Sequence, residues 1–401
     1  MTVRARHLIP LLAACSAIGT VGNYLFLPAL PQIGEYYGVL PGTAQLTVTA
    51  YLVSFAIGVL VSGPLADRYG RRPVLIGGVA LAGVGALLCY VAPTMGWFVA
   101  ARILQGAAGG FGITVSRASV GDLFEERELA RMYAILTMAL VLGTALAPYA
   151  GGLITRYVGW REAFIWMAEL AGAIAVACYV WLPETRNSKA RAQGFGTLWR
   201  ESRMLLARPV FLGYVAQAAL IYALFFVFVS LSPYVMVNIL GLSSDQFGLY
   251  YLFLAAGFFV GNLLVSRSGG HHDVTRQTNA GLTWQLVGAC AALLMVLLGY
   301  SQPLAVFAPM MLFSFGQGLA LPNLIAHGIR LAPNNTGVAS SLFGFSQLAL
   351  SAIAVQIMGY VPASGWQPAL WFCVIGAALS SIWVRRLESR EVSPTGASGT
   401  P

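Results

Sequence analysis

A chain of 401 residues with 58% apolar and 9% charged residues cannot wet the surface of a soluble protein, because ordinary globular domains carry about 25% charged residues. This composition excludes a disordered chain and a disulfide scaffold, and points to lipid as the main solvent. The net charge of +9 does not signal a nucleic-acid partner: the bases sit in short clusters between apolar runs, as in the cytoplasmic loops of membrane proteins.

Cutting the apolar runs at charge clusters and Pro/Gly punctuation predicts twelve transmembrane helices, at 8–28, 44–66, 74–92, 97–119, 131–154, 160–182, 209–236, 246–266, 278–299, 303–326, 336–359 and 366–385. The run after Arg4, Arg6 and His7 is long for a cleaved leader, and Pro28 to Pro31 makes a poor cleavage site, so it reads as an uncleaved first helix. Twenty Lys and Arg fall on the side of the termini and two, Arg156 and Arg161, on the other. That asymmetry places both ends in the cytoplasm. The expected architecture is an all-α integral membrane protein, with six-helix bundles at 1–183 and 209–387. A cytoplasmic linker at 184–208 joins them and a disordered cytoplasmic tail follows at 388–401. Part of the linker reads equally as an amphipathic helix on the headgroups (Phe195, Leu198, Trp199, Leu205 and Leu206 interleaved with Arg200 and Arg203) or as a solvated strand of chain. The five cysteines lie in apolar runs and form no CxxC, so they read as buried thiols.

Between the second and third spans stands Gly63-Pro64-Leu65-Ala66-Asp67-Arg68-Tyr69-Gly70-Arg71-Arg72. Its glycines suit close helix ends and a tight turn, and its acid and bases can form a charge cluster that breaks when helices rock. Gly261 to Gly269 is a weak echo of it in the second half. Ala101-Arg102-Ile103-Leu104-Gln105-Gly106 lies in the fourth span, and Gly143-Thr144-Ala145-Leu146-Ala147-Pro148-Tyr149-Ala150-Gly151-Gly152 in the fifth, where small residues and Pro allow a bend and close packing.

The first of these blocks resembles the signature loop of the major facilitator superfamily. The fourth-span block is similar to its Arg-x-x-Gln-Gly element, and the fifth-span block to the element associated with antiporters, with Ala147 in place of a Gly. Phe26 to Pro31, Ser232-Pro233-Tyr234, Gly241-Leu242-Ser243 and Leu321-Pro322-Asn323 resemble the Bcr/CflA-type drug-resistance transporters, in order over roughly residues 20–360. The resemblance implies two six-helix pseudo-repeats and a proton-driven efflux transporter of the bacterial inner membrane, functional as a monomer. Small-molecule substrate, protons and lipid are its implied partners. A proton symporter or a facilitator importing a nutrient is the alternative. No nucleotide loop and no His/Asp/Glu cluster at the bilayer face is present, so neither ATP, a cofactor nor an embedded enzyme is expected. His271-His272-Asp273 reads as a solvated turn rather than a metal site, and His327 as a minor candidate for titration.

The same resemblance implies gating roles for Gly63, Asp67, Arg68, Gly70, Arg71 and Arg72, with Arg117 and Asp122 as partners at the end of the fourth helix. It also implies a meeting of Asp67 with the start of the eleventh helix, where Asn334, Asn335 and Thr336 supply a cap. In the antiporter-type element Gly143, Pro148, Gly151 and Gly152 are the marked positions. A cavity lined by the first, fourth, seventh and tenth helices would offer Asn23, Tyr24, Gln105, Gln217, Tyr222, Phe225, Phe226, Gln317 and Asn323. Apolar and aromatic walls with scattered amides suit a lipophilic or amphiphilic ligand, not a strongly anionic one. Members of that branch usually carry an acid just before the Leu-Pro-Ala-Leu-Pro run. This chain has Asn23 and Tyr24 there, and no acid before Glu35. Glu169, about 14 Å deep by helical rise, is the only acid near mid-span. With Arg102, the only base well inside a span, it is a proton site or part of a fixed structural pair, or else it faces another scaffold helix.

Overall fold

The computed structural model describes residues 8–124, 126–186, 195–267, 274–333, 335–361 and 365–392. Among them twelve helices are long and apolar enough to cross a membrane. They are α1 (Ile9–Tyr36), α2 (Pro41–Tyr69), α3 (Arg71–Val91), α4 (Met95–Leu123), α5 (Glu126–Tyr157) and α6 (Glu162–Trp181). After a linker helix, Phe195–Leu206, follow α7 (Pro209–Ile239), α8 (Ser244–Arg267), α9 (Val274–Leu297), α10 (Pro303–Arg330), α11 (Thr336–Gly359) and α12 (Gln367–Val392). All twelve fall on the predicted runs, most with an extra turn at one or both ends. α12 continues to Val392, so residues 388–392 are helical where a disordered tail was expected; residues 393–401, His271 to Asp273 and Asn334 lie outside the described residues.

Local chemistry sets the irregularities. Pro28 and Pro31 lack the N–H that would continue the α-helical ladder, and α1 passes through a 3-10 turn at Leu27–Ala29 before resuming at Leu30. In α7 a π-helical turn, Val235–Ile239, follows Pro233. The helices are apolar on every side because one face meets protein and the other meets lipid. On α6, for example, Ala171 and Cys178 are buried while Val176 and Val180 are exposed.

The chain forms two compact units. One holds α1–α6 together with Ser230–Leu252 (the end of α7 and the start of α8) and α11 from Val355. Its core pairs are α1 with α4 and α5, α4 with α2 and α3, and α3 with α6. A Cβ added at Gly110 would reach the Val59 nitrogen at 2.6 Å, and one at Gly109 the Cα of Gly19 at 2.9 Å, so α4 lies backbone to backbone against α2 and α1. The other unit holds the linker helix from Leu198, α7 to Val229, α8 from Phe253, α9, α10, α11 to Ala354, and α12. There α9 packs on α10 and α12, around a core that includes Phe211, Tyr214, Leu282, Leu324, Phe343 and Val384.

Candidate functional site: the signature loop and the polar core of the first unit

The signature loop joins α2 to α3 through Gly70, whose φ of 105° is a conformation that disfavours a side chain. Arg71 is its centre. Its Nη1 lies 2.6 Å from the Asp67 carboxylate one turn back, and its Nε donates to Asp122 Oδ2 of α4 at 3.0 Å. Arg72 donates to the Tyr179 carbonyl at 2.6 Å, and Arg68 lies over the Tyr69 ring. Arg117, expected beside them, is exposed; its carbonyl accepts from the Tyr133 hydroxyl, and no ion pair of its side chain is found among the described residues. Gly63 has only Thr114 Cγ2 near its would-be Cβ, at 3.9 Å. The positive φ therefore explains Gly70, where a Cβ would also displace the Glu184 carboxylate, while neither φ nor close packing explains Gly63.

Glu184 and Arg186 are functional neighbours that the sequence reading passed over. The Glu184 carboxylate accepts from the backbone N–H of Arg71 at 2.8 Å and of Arg72 at 3.2 Å, and so caps the positive pole of α3. Arg186 Nη1 donates to the Asp67 and Arg68 carbonyls at 3.1 and 2.9 Å, capping the negative pole of α2. Burial pushes the Glu184 carboxyl up, but hydrogen bonds from the backbone N–H groups of Arg186, Arg71, Arg72 and Thr185 outweigh it and hold the pKa below the usual carboxylate value. An acid and a base two residues apart, directly after a predicted helix, are the sequence signal for such a double cap.

The antiporter-type element of α5 is a contact strip. A Cβ at Gly143 would meet Val21 Cγ2 of α1 at 2.8 Å, and one at Gly151 would fall on the Leu25 carbonyl where α1 breaks. On its other side, a Cβ at Gly152 would meet the Ser244 carbonyl at 2.6 Å, and one at Gly248 of α8 would meet the carbonyl of Pro148 at 2.6 Å. Beyond the strip, Arg156 forms an ion pair with Asp245 at 2.8 Å. At the same arginine-poor end, Gln45 and Ser230 exchange two hydrogen bonds, Thr49 donates to Gln356 at 2.9 Å, and Gln356 donates to the Gly42 carbonyl at 3.0 Å.

Arg102 is fully buried. Its guanidinium carbon lies 3.9 Å from the Phe26 ring centroid and 4.0 Å from that of Tyr51, over both rings and within reach for cation–π attraction. Nη1 donates to Gln105 Oε1 at 2.6 Å and to the Gly22 carbonyl at 3.2 Å, and Nε donates to the Thr47 carbonyl at 3.5 Å. The Tyr51 hydroxyl donates in turn to the Gly19 carbonyl. Nη2 of Arg102, Nε2 of Gln105 and Oδ1 of Asn23 are buried without a partner among the described residues. Beside them a crevice lined by Gly22, Leu25, Phe26, Gln105, Phe164 and Met167 is too narrow to admit a water molecule. Glu169 is not brought to Arg102. It lies on the exposed side of α6 with Trp166 and Leu170, and has no ion-pair partner among the described residues.

A sequence pattern that describes the Major Facilitator Superfamily matches residues 12–355. The chain belongs to that superfamily. It is a transporter and not an enzyme. This superfamily member is 26% identical to the bicyclomycin resistance protein homolog of Haemophilus influenzae, over 94% of this chain and 96% of that one. It is 29% identical to a chloramphenicol resistance protein of Pseudomonas aeruginosa, over 93% and 81%. A crystal structure of a D-xylose-proton symporter shares the fold, with a TM-score of 0.76 at 14% identity over 96% and 98%.

The remaining residues expected to line a cavity divide by environment. Tyr24 is buried, with its ring 5.9 Å from that of Tyr251 in the same unit. In the other unit Gln217 turns to α12 and donates to Ser380, while Asn323 donates to Gln277 at 3.3 Å. Tyr222, Phe225 and Phe226 form a ring cluster on α7, and Gln317 is buried with Oε1 unpartnered. Of the cysteines, Cys290 is exposed rather than buried, and the Cys15 and Cys178 sulfurs lie 3.3 Å apart.

Proposed function

We propose that this chain exports a small lipophilic or amphiphilic compound by alternating access, in exchange for protons, across a bacterial inner membrane, as a monomer. Its arginine-rich side and both termini face the cytoplasm. The observation that carries the reading is the strip Gly143 to Gly152, seated on the α1 break and on the start of α8. Helices in backbone contact on both sides of one strip form a seal, and Arg156–Asp245, Gln45–Ser230 and Thr49–Gln356 fasten its end. Opening that end requires these contacts to part, while the Asp67–Arg71–Asp122 cluster controls the other. The relatives' names, bicyclomycin and chloramphenicol resistance, support a substrate class of small antibiotic-like compounds.

Facilitated passage without proton coupling is a second reading, favoured by one observation: the one carboxylate deep in a span among the described residues, Glu169, stands on the exposed face of α6. One experiment separates them. Purified protein in vesicles with a pH-sensitive dye is given chloramphenicol with and without an imposed proton gradient. Exchange predicts uphill chloramphenicol movement and proton flux in the opposite direction. Downhill movement alone selects the facilitator, and no movement of any tested compound rejects both.

A further inference from the structure

We propose that the first unit discriminates its ligand by charge: it accepts uncharged compounds that carry a strong hydrogen-bond acceptor and rejects permanent cations. The inference rests on the transport reading above and adds the electrostatics of its binding region. Among the described residues, the acids of the membrane helices lie near helix ends (Glu35, Asp67, Asp122, Glu128, Glu162 and Asp245), except Glu169, which stands on an exposed face. The one charge enclosed in the core of this unit is the guanidinium of Arg102, about 10 Å from the end of α4 by helical rise.

No carboxylate answers that charge. Its acceptors are two backbone carbonyls and an amide oxygen, and the two aromatic rings that a lipophilic cation would seek in the same core, Phe26 and Tyr51, already flank Arg102. A cation entering here finds no counter-ion and a like charge. At about 10 Å and an effective dielectric near 20, that repulsion alone weakens binding on the order of tenfold. Among the described residues, two donors of this core lack acceptors, Arg102 Nη2 and Gln105 Nε2, against one acceptor without a donor, Asn23 Oδ1. Buried donors left unmade are costly, so a ligand oxygen that reaches them when the crevice beside Gln105 widens is rewarded.

Two probes of nearly equal size and shape test this: triphenylphosphine oxide, neutral with a strong P=O acceptor, and methyltriphenylphosphonium, a permanent cation. Equilibrium binding of each to the full-length protein in detergent is expected to favour the oxide by at least about tenfold. Asn23→Asp places a carboxylate one residue from the Gly22 carbonyl that Arg102 holds, and is expected to erase that preference. Arg102→Gln should weaken oxide binding; because that variant risks misfolding, Asn23→Asp is the deciding one. Equal affinity for the two probes, tighter binding of the cation, binding of neither, or an unchanged preference in Asn23→Asp overturns the inference. The transport reading fails separately, if vesicles move neither these probes nor chloramphenicol.

Discussion

Arg102 shows how a membrane interior tolerates a lone cation. Three of its donors meet oxygens and its charged carbon lies over two rings, so the charge is spread over α1, α2 and its own helix. A lysine would keep the charge but lose the planar fork and both ring faces. Arg102→Lys is therefore expected to lower stability by about 3 kcal/mol, read as a fall in the thermal midpoint in detergent. A midpoint equal to wild type would show that the charge alone matters. Glu169 is the opposite case. Standing beside exposed Trp166 and Leu170, it touches none of the groups that line the polar core. Glu169→Gln is expected to leave the pH dependence of transport unchanged, and a shifted profile would return it to the coupling machinery. Sequence alone could place Glu169 at mid-depth but not choose its face, because α6 is apolar all round and its periodicity carries no direction.

At the scale of elements, the glycines sort by what stands opposite them. Gly151→Ala drives a methyl group onto the Leu25 carbonyl, an overpacking expected to cost about 1–3 kcal/mol, whereas Gly63→Ala, with open space inside α2, should stabilise by about 0.5–1 kcal/mol. Chemical or thermal unfolding of the two variants side by side checks the contrast. The double cap by Glu184 and Arg186 adds a pH dependence. A carboxyl held below its unfolded value of about 4.3 stabilises above that pH and loses its effect as pH falls through the depressed folded value. Protection of the Arg71 and Arg72 amides from exchange, taken relative to the intrinsic rate at each pH, is therefore expected to fall in wild type only below about pH 4, and to be lower already at neutral pH in Glu184→Ala. The spans and the signature loop were legible because apolar length, glycine and charge spacing are local signals. The cap, the Arg102 cradle and the Arg156–Asp245 pair were not, since each joins positions far apart in the chain that only the packed helices bring together.

On the proposed alternating access, the cycle of the molecule as a whole depends on how firmly the contacts at the arginine-poor end of the first unit hold. The Arg156 side chain is 45% exposed, and exposed ion pairs contribute about 0–1 kcal/mol. Gln45 and Ser230 are both fully buried and bonded to each other twice, so breaking them leaves amide and hydroxyl groups unsatisfied in an apolar seal. The buried pair should then dominate the conformational equilibrium and the ion pair should trim it. Asp245→Asn is expected to raise the open population by no more than about fivefold, the equivalent of roughly 1 kcal/mol. Gln45→Leu strands the Ser230 hydroxyl and should raise it more. A cysteine at Ser232, a buried position, reports the opening through its labelling rate with a membrane-impermeant maleimide, in a background where the exposed Cys290 is replaced by Ser. Exchanging the charges, Arg156→Asp with Asp245→Arg, should return the rate to the wild-type value if the ion pair acts through charge alone. If Asp245→Asn speeds labelling more than Gln45→Leu does, the ranking is reversed, and the exposed pair rather than the buried one holds that end closed.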